Sequence, residues 1–465
     1  MVCLLVSNRR FQTVRVRIAT GILVTLPSSP AMDAVRGPTN APAVRLPATL
    51  LLFAASLACQ STRPAANVSS PGSAEPATTA ATLQVAAPAS AGFDPERLEQ
   101  AAALLEGAVA EGVAPGGVLL VARRGSVALE RAAGRLTYDD DAPAVTPSTI
   151  YDLASLTKVI ATTTLMMRRV ESGALDLDDT AASCLPELEG SPVGGATLRD
   201  LLAHTSGLPC CSELFRELGE GLDRDEARAR YLEHIAATEL EVGPRERSIY
   251  SDLGVLLLGE ILERESGHGL AELVQDEILD PLGLADTGYR PSDSLRGRIA
   301  PTEFDSWRGR LPHGEVHDEN THALGGVAPH AGLFGTARDV AAFAQTMLNG
   351  GAYGGCRIAG HDTVALFTHR AELVPGSSRA LGWDTPSDPS SAGRYFSARS
   401  FGHTGFTGTS LWIDPELELI VVLLTNRVHP TRENIAIRRL RPAIHDAVVL
   451  AIDDAEVELR NAGQR

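Results

Sequence analysis

Lysine is all but missing from this 465-residue chain, in which Lys158 stands alone beside 40 arginines. Surface charge, salt bridges and anion clamps are served as well or better by arginine, so those roles do not explain the exception. Arginine cannot give up its proton, whereas a desolvated lysine can be tuned to act as a base. The alternative is drift of the coding sequence toward arginine with one survivor left at random. Basic charge in excess is also lacking. The formal net charge is −17, which excludes nucleic acid as an expected partner, because phosphate binding needs clustered basic surface. With 44% hydrophobic residues and no series of long apolar runs, the chain is not a multi-span membrane protein. No internal repeat is present. The cysteines beyond residue 59 (Cys184, Cys210, Cys211 and Cys356) have no zinc-ligand spacing, and buried free thiols are the default reading.

What is present begins with the surroundings of the lysine, Tyr151-Asp152-Leu153-Ala154-Ser155-Leu156-Thr157-Lys158. Three residues apart on a helix, the Ser155 hydroxyl and the Lys158 amine lie on one face and can exchange a proton. A serine at a helix N-terminus also gains partial positive charge and free N–H groups for a developing anion. A serine hydroxyl needs such a partner to become a nucleophile.

The N-terminal part reads as export machinery. From Met32 the chain runs through Arg36 and Arg45 into the apolar stretch Leu46 to Ala58 and then Cys59. A basic region, an apolar stretch and small residues before a cleavage point describe a secretory signal. Its end, Ser56-Leu57-Ala58-Cys59, resembles a bacterial lipoprotein signal, which implies lipidation of Cys59 and a membrane anchor. Ser56 stands where that signal usually carries an aliphatic residue, so ordinary signal-peptidase processing is the alternative. Residues 1–58 are therefore upstream extension and signal, and residues 59–92 a lipid-anchored flexible linker rich in Ser, Pro, Ala and Thr. Residues 93–456 form the folded body, and 457–465 a tail.

Within that body, residues 94–112 carry a helical period, and the runs 117–122 and 127–132 read as a β-hairpin. A long helix follows over 155–172. The stretch 176–350 is mostly helical and loop-like, with helices at 198–202, 253–265 and 340–348. Strands return at 409–413 and 418–425, before a last helix over 432–451. Without regular βαβ alternation, the fold class is α+β: both chain ends join one antiparallel sheet flanked by helices, with the middle inserted as a helical lobe.

Two further motifs stand in order behind the first: Tyr250-Ser251-Asp252, ahead of an apolar helix, and Gly402-His403-Thr404-Gly405. Together the three motifs resemble those of the penicillin-recognising serine hydrolases, which include class C β-lactamases, D-alanyl-D-alanine carboxypeptidases and related esterases. The resemblance spans about residues 93–456. It implies a β-lactamase/transpeptidase-like fold, no cofactor, and an acyl-enzyme on Ser155, with Lys158 and Tyr250 sharing proton transfer. It also implies substrate contacts by Asp252, His403, Thr404, Gly405 and Phe406, with the backbone N–H groups of Ser155 and Phe406 as oxyanion hole.

Two positions depart from the commoner pattern. His403 replaces a lysine and is a cation only when protonated, and Asp252 replaces an asparagine. An anion beside Lys158 raises the lysine's pKa and moves the base role toward Tyr250 unless Asp252 is neutralised. The segment Val316 to Phe334 resembles a branch linked with cell-wall recycling. The implied substrate is an amide or ester, of a wall-derived peptide or a small ester, with a β-lactam as the alternative. Readings of other classes are a penicillin-binding sensor that stays acylated and a metal-dependent hydrolase built on the histidine-rich stretch 313–330. That stretch lacks the H-E-x-x-H pattern and reads rather as a polar loop lining the groove, with His317, Asp318 or Glu319 open to substrate. His204 reads as a packed turn histidine. An exported, periplasmic location follows from the N-terminus.

Overall fold

In the computed structural model the described residues are 13–17, 23–27 and 83–453. The chain divides into two units, Met1–Ala74 and Glu75–Arg465. In the first, β1 (Thr13–Arg17) and β2 (Leu23–Pro27) form an antiparallel hairpin. Cys59 and the apolar stretch before it lie outside the described residues, as does the tail after residue 453.

The second unit is built on a six-stranded sheet. Its strands are β3 (Gln84–Val85), β4 (Gly116–Arg123), β5 (Ser126–Gly134), β11 (Phe401–Thr404), β12 (Ser410–Asp414) and β13 (Leu419–Thr425), in the order β11-β12-β13-β4-β5-β3. The chain ends meet where β13 pairs antiparallel with β4, Val421 opposite Val121. Neither strand alternates in polarity, because both faces of the sheet are covered. Successive side chains still point to opposite faces. Val118 and Leu120 join Ile420, Val422 and Leu424 in a core shared with the central lobe, while Leu119 and Val121 join Leu419, Leu423, Leu105 and Ile444 under the terminal helices. Those helices are Pro95–Ala110, whose N-cap Asp94 accepts from the N–H groups of Glu96 and Arg97, and Ile437–Leu450.

The mixed α+β architecture of a sheet flanked by helices agrees with the sequence expectation, and three local differences have physical causes. Residues 83–92, expected to close the linker, belong to the body: β3 pairs parallel with β5 at the sheet edge, and Pro88–Ala91 forms a 3₁₀ turn. A two-residue strand has no alternation to read, and its partner lies about 40 residues away. The central region contains strand as well as helix: β6 (Tyr151–Asp152), β7 (Gly288–Tyr289) and β8 (Leu333–Gly335) form a three-stranded sheet, and β9 (Ala352–Tyr353) pairs with β10 (Cys356–Arg357). The cysteines from 184 onward are free as expected, but not buried: Cys210 and Cys211 are exposed and Cys184 and Cys356 half-buried.

Candidate active site

Ser155 lies in a turn between β6 and the helix behind it, not inside the helix. The Leu156 and Thr157 N–H groups close back on Leu153 and Ala154, and the preceding Ala154 has φ 48°. Left-handed backbone at alanine costs about 1 kcal/mol, so something must hold it. The buried Asp152 carboxylate does so, accepting the Ala154 N–H at 2.8 Å and the His317 N–H at 2.6 Å. On the other side, Thr407 Oγ1 donates to the Asp152 carbonyl (2.7 Å) and Thr409 Oγ1 to the Leu153 carbonyl (3.0 Å). Gly405 is compelled by this approach, because a Cβ there would stand 2.0 Å from Thr409 Oγ1 and 2.6 Å from the Leu153 carbonyl. The strand bearing the third motif is thereby clamped to the serine turn. The backbone N–H groups of Ser155 and Phe406 have no protein acceptor among the described residues.

Lys158 is 2% exposed and its ammonium has three neighbours: Ser155 Oγ at 3.0 Å, the His330 carbonyl at 2.9 Å and Asp252 Oδ1 at 2.7 Å. Burial alone would lower its pKa. The charge of Asp252, reinforced by Tyr250 and hydrogen bonds to both, outweighs burial and holds the lysine well above its ordinary value. Asp252 is placed by its own helix, Asp252–Ser266: Ser251 caps the N-terminus, accepting from the Gly254 N–H and donating to the Pro209 carbonyl. A carboxylate in that first turn is also favoured by the helix dipole.

Tyr250 fills the space between these groups. Its ring lies 5.0 Å from Lys158 Nζ, 4.5 Å from the His204 ring and 5.1 Å from the Arg379 guanidinium. Burial pushes its hydroxyl pKa up; the charge of Lys158 and hydrogen bonds to Lys158 and Ser155 pull it back without cancelling the rise. His204 is 3% exposed and accepts the Ser251 N–H on Nδ1, so it is a packed turn histidine that backs the tyrosine.

His403, on β11 and 4% exposed, sets its Nδ1 2.9 Å from the Thr404 carbonyl, which places the ring proton on that nitrogen. Its Nε2 is buried without a partner among the described residues. Burial, then the charges of Lys158 and Arg379, drive its pKa well below the ordinary histidine value. The conditional cation expected at this position is therefore a neutral imidazole. Positive charge enters the site through arginines that the sequence reading did not single out. A cavity of about 310 Å³ is lined by Ser155, Tyr250, Arg379, His403, Thr404 and Phe406, with Arg427, Arg438 and Arg441 beyond. The Phe406 ring is 50% exposed, 4.5 Å from the Arg427 guanidinium and stacked on His317 at 5.5 Å.

The histidine-rich stretch is not open to substrate in the way expected. His317 Nε2 is 3.0 Å from Glu303, Glu319 binds Arg432 at 2.6 Å, and Asp318 is 3.0 Å from His330 while capping the Glu319–Ala323 helix. Its polar groups are engaged with one another, as Asp318 with His330, or with Glu303 and Arg432, and the His330 carbonyl holds the lysine. Among the described residues no group of three or more potential ligands could hold a metal ion.

The family model described as Beta-lactamase matches residues 101–445. The putative D-alanyl-D-alanine carboxypeptidase of Escherichia coli (strain K12) is 34% identical over 378 residues, covering 75% of this chain and 86% of the relative. Its namesake from Salmonella typhimurium (strain LT2) is 32% identical over the same shares. Among solved structures, EstCE1, a hydrolase with promiscuous acyltransferase activity, is 25% identical with a TM-score of 0.60, over 76% of this chain and 98% of its own. A class C β-lactamase from Rhodobacter sphaeroides, at 23% identity and a TM-score of 0.58, shares the fold over 76% of this chain and 99% of its own.

Proposed function

This chain belongs to the β-lactamase family and is a serine hydrolase, and on that premise we propose that it cleaves the terminal amide of a cell-wall-derived peptide through an acyl-enzyme on Ser155. The observation that carries the mechanism is the contact set of Lys158: nucleophile at 3.0 Å, counter-ion at 2.7 Å and Tyr250 alongside. Ser155 Oγ attacks the carbonyl carbon, and its proton passes through Tyr250 to the departing amine. The tetrahedral oxyanion sits between the N–H groups of Ser155 and Phe406, donors typically worth about 3 kcal/mol each. Water then attacks the ester, its proton returns by the same route, and the serine is released.

Because Asp252 keeps Lys158 charged, Tyr250 is the group that loses a proton to become the base. Lys158 is its fixed electrostatic support, and this division of labour is part of the proposal. Asp252, His403, Thr404, Gly405 and Phe406 form the substrate wall, with the Thr404 hydroxyl and Arg379 offered to the terminal carboxylate. The carboxypeptidase name of the relatives supports the peptide substrate by analogy. No cofactor takes part. Release of D-alanine from a wall pentapeptide, insensitive to EDTA and absent in Ser155→Ala, is the expected result. Turnover of penicillin or a small ester with no release from the peptide would replace the substrate and leave the serine chemistry.

We also propose that the protein is exported and anchored through a lipid on Cys59. In that reading Cys59→Ala releases it from membranes or leaves it unprocessed; an unlipidated mature N-terminus elsewhere would refute the anchor. No helix among the described residues is long and apolar enough to cross a membrane.

A further inference from the structure

Charge in the Ser155 cavity is unbalanced. Arg427, Arg438 and Arg441 line it together, and none forms a salt bridge among the described residues, although the Glu303 charge acts on Arg427 from a distance. With 58 acidic residues in the chain, arginines elsewhere are routinely paired: Arg432, next to this cluster, holds both Glu303 and Glu319. Arg427 and Arg441 are instead held by carbonyl contacts, which fix their position without supplying a counter-charge. Arg427 donates from Nε to the Phe406 carbonyl (2.8 Å) and from Nη1 to the carbonyls of Arg432 (2.6 Å) and Asn434 (3.0 Å). Arg441 donates from Nη2 to the carbonyls of Gly405 (2.6 Å) and Thr409 (2.7 Å), and its Nε is buried with no partner among the described residues. The Arg438 side chain is exposed and makes no hydrogen bond within the described residues.

The cavity's own carboxylate, Asp384, is engaged elsewhere, accepting from Ser378 Oγ at 2.6 Å and from the Thr385 N–H. Burial first, and then repulsion from Arg427 and Arg438, pulls Arg441 down to about 9. Three cations in one place with no salt-bridging carboxylate among the described residues oppose folding, and a ligand anion relieves them. The two apolar side chains at the rim, Phe406 at 50% and Ile435 at 56% exposure, add a surface for the hydrocarbon part of such a ligand.

We propose that Arg427, Arg438 and Arg441 form a seat for a carboxylate of the substrate other than any at the bond being cleaved, so that the enzyme favours acidic peptides and esters bearing a second negative charge. The inference rests on the acyl-enzyme reading of the same cavity. Two fixed donors, Arg427 and Arg441, with the exposed Arg438 beside them, would orient an acidic chain along the groove, and binding at this remote group would be used to position the reacting one.

The test compares p-nitrophenyl hydrogen glutarate, whose acyl chain ends in a carboxylate, with neutral p-nitrophenyl butyrate. The wild type is expected to prefer the anionic ester at least about tenfold in kcat/KM, chiefly through KM, and less so in added salt. In Arg438→Gln that ratio is expected to collapse toward one. Equal kcat/KM for the two esters in the wild type, or a preference that Arg438→Gln leaves in place, would overturn the seat. If neither ester turns over, small esters are not substrates, and titration of Ser155→Ala protein with succinate still reads the seat directly. Binding that Arg438→Gln weakens at least about fivefold supports it, and no heat of binding at millimolar succinate refutes it.

Discussion

The Lys158 ammonium and the Asp252 carboxylate form a buried-side ion pair at 2.7 Å, directly behind Ser155. Each partner changes what the other does. Asp252 holds the lysine protonated, and the lysine's charge in turn draws down a tyrosine hydroxyl that burial has pushed up. In the proposed mechanism the proton exchanged with Ser155 is the one carried by Tyr250.

Removing the Asp252 charge should be visible in the pH dependence. The carboxylate raises the pKa values of both Lys158 and Tyr250, so the form lacking one proton accumulates only on the alkaline side. Asp252→Asn lowers both values, and the acidic limb of the kcat/KM profile should move about one unit toward lower pH. A limb that stays in place, or moves up, would show that Asp252 does not govern the base.

Lys158→Arg keeps the charge and removes the shape. The ammonium meets Ser155 Oγ, the His330 carbonyl and Asp252 at once from a site only 2% exposed, and a longer planar guanidinium cannot reproduce that tetrahedral set. Steady-state kinetics should show kcat/KM lower by at least about a hundredfold, with the fold intact by circular dichroism. A variant within a few-fold of wild type would make charge the whole of the lysine's role.

Stability should depend on Glu303 in one pH window. Burial would raise its pKa, but His317 and Arg432 lower it from 4.5 to about 2. The folded value lies below the unfolded one, so the contribution is present above about pH 4.5 and is lost as pH falls toward 2. Its size is at most about 3 kcal/mol, less whatever solvent screening removes. Urea unfolding should find Glu303→Gln less stable than wild type at pH 7, with the gap closing near pH 3. An equal gap at both would assign the effect to packing.

Sequence alone carried the reading furthest where chemistry is encoded locally. Ser155 and Lys158 are three residues apart, and a single lysine among 40 arginines draws the eye. The hairpin β4–β5 and the strands β12 and β13 follow from apolar runs bounded by turns. What stayed hidden depends on distant parts of the chain. No one arginine stands out among 40, so Arg379 over Tyr250 and Arg441 against the Gly405 carbonyl leave no local mark. Asp152 gives no sign that its carboxylate will hold Ala154 in a left-handed conformation. The charge state of His403 turns on burial and on one carbonyl, Thr404, and neither can be read from Gly402-His403-Thr404-Gly405. The polar stretch 313–330 looked exposed because its partners, Glu303 and Arg432, come from elsewhere in the chain.

The central claim is that an acyl group is carried on Ser155, and intact-mass spectrometry of the rapidly quenched enzyme tests it most directly. After mixing with p-nitrophenyl acetate or penicillin, the wild type should gain the mass of one acyl group, mapped by peptide digestion to the segment holding Ser155. Ser155→Ala should gain none and show no turnover. An adduct on another residue, or full activity in Ser155→Ala, would contradict the account.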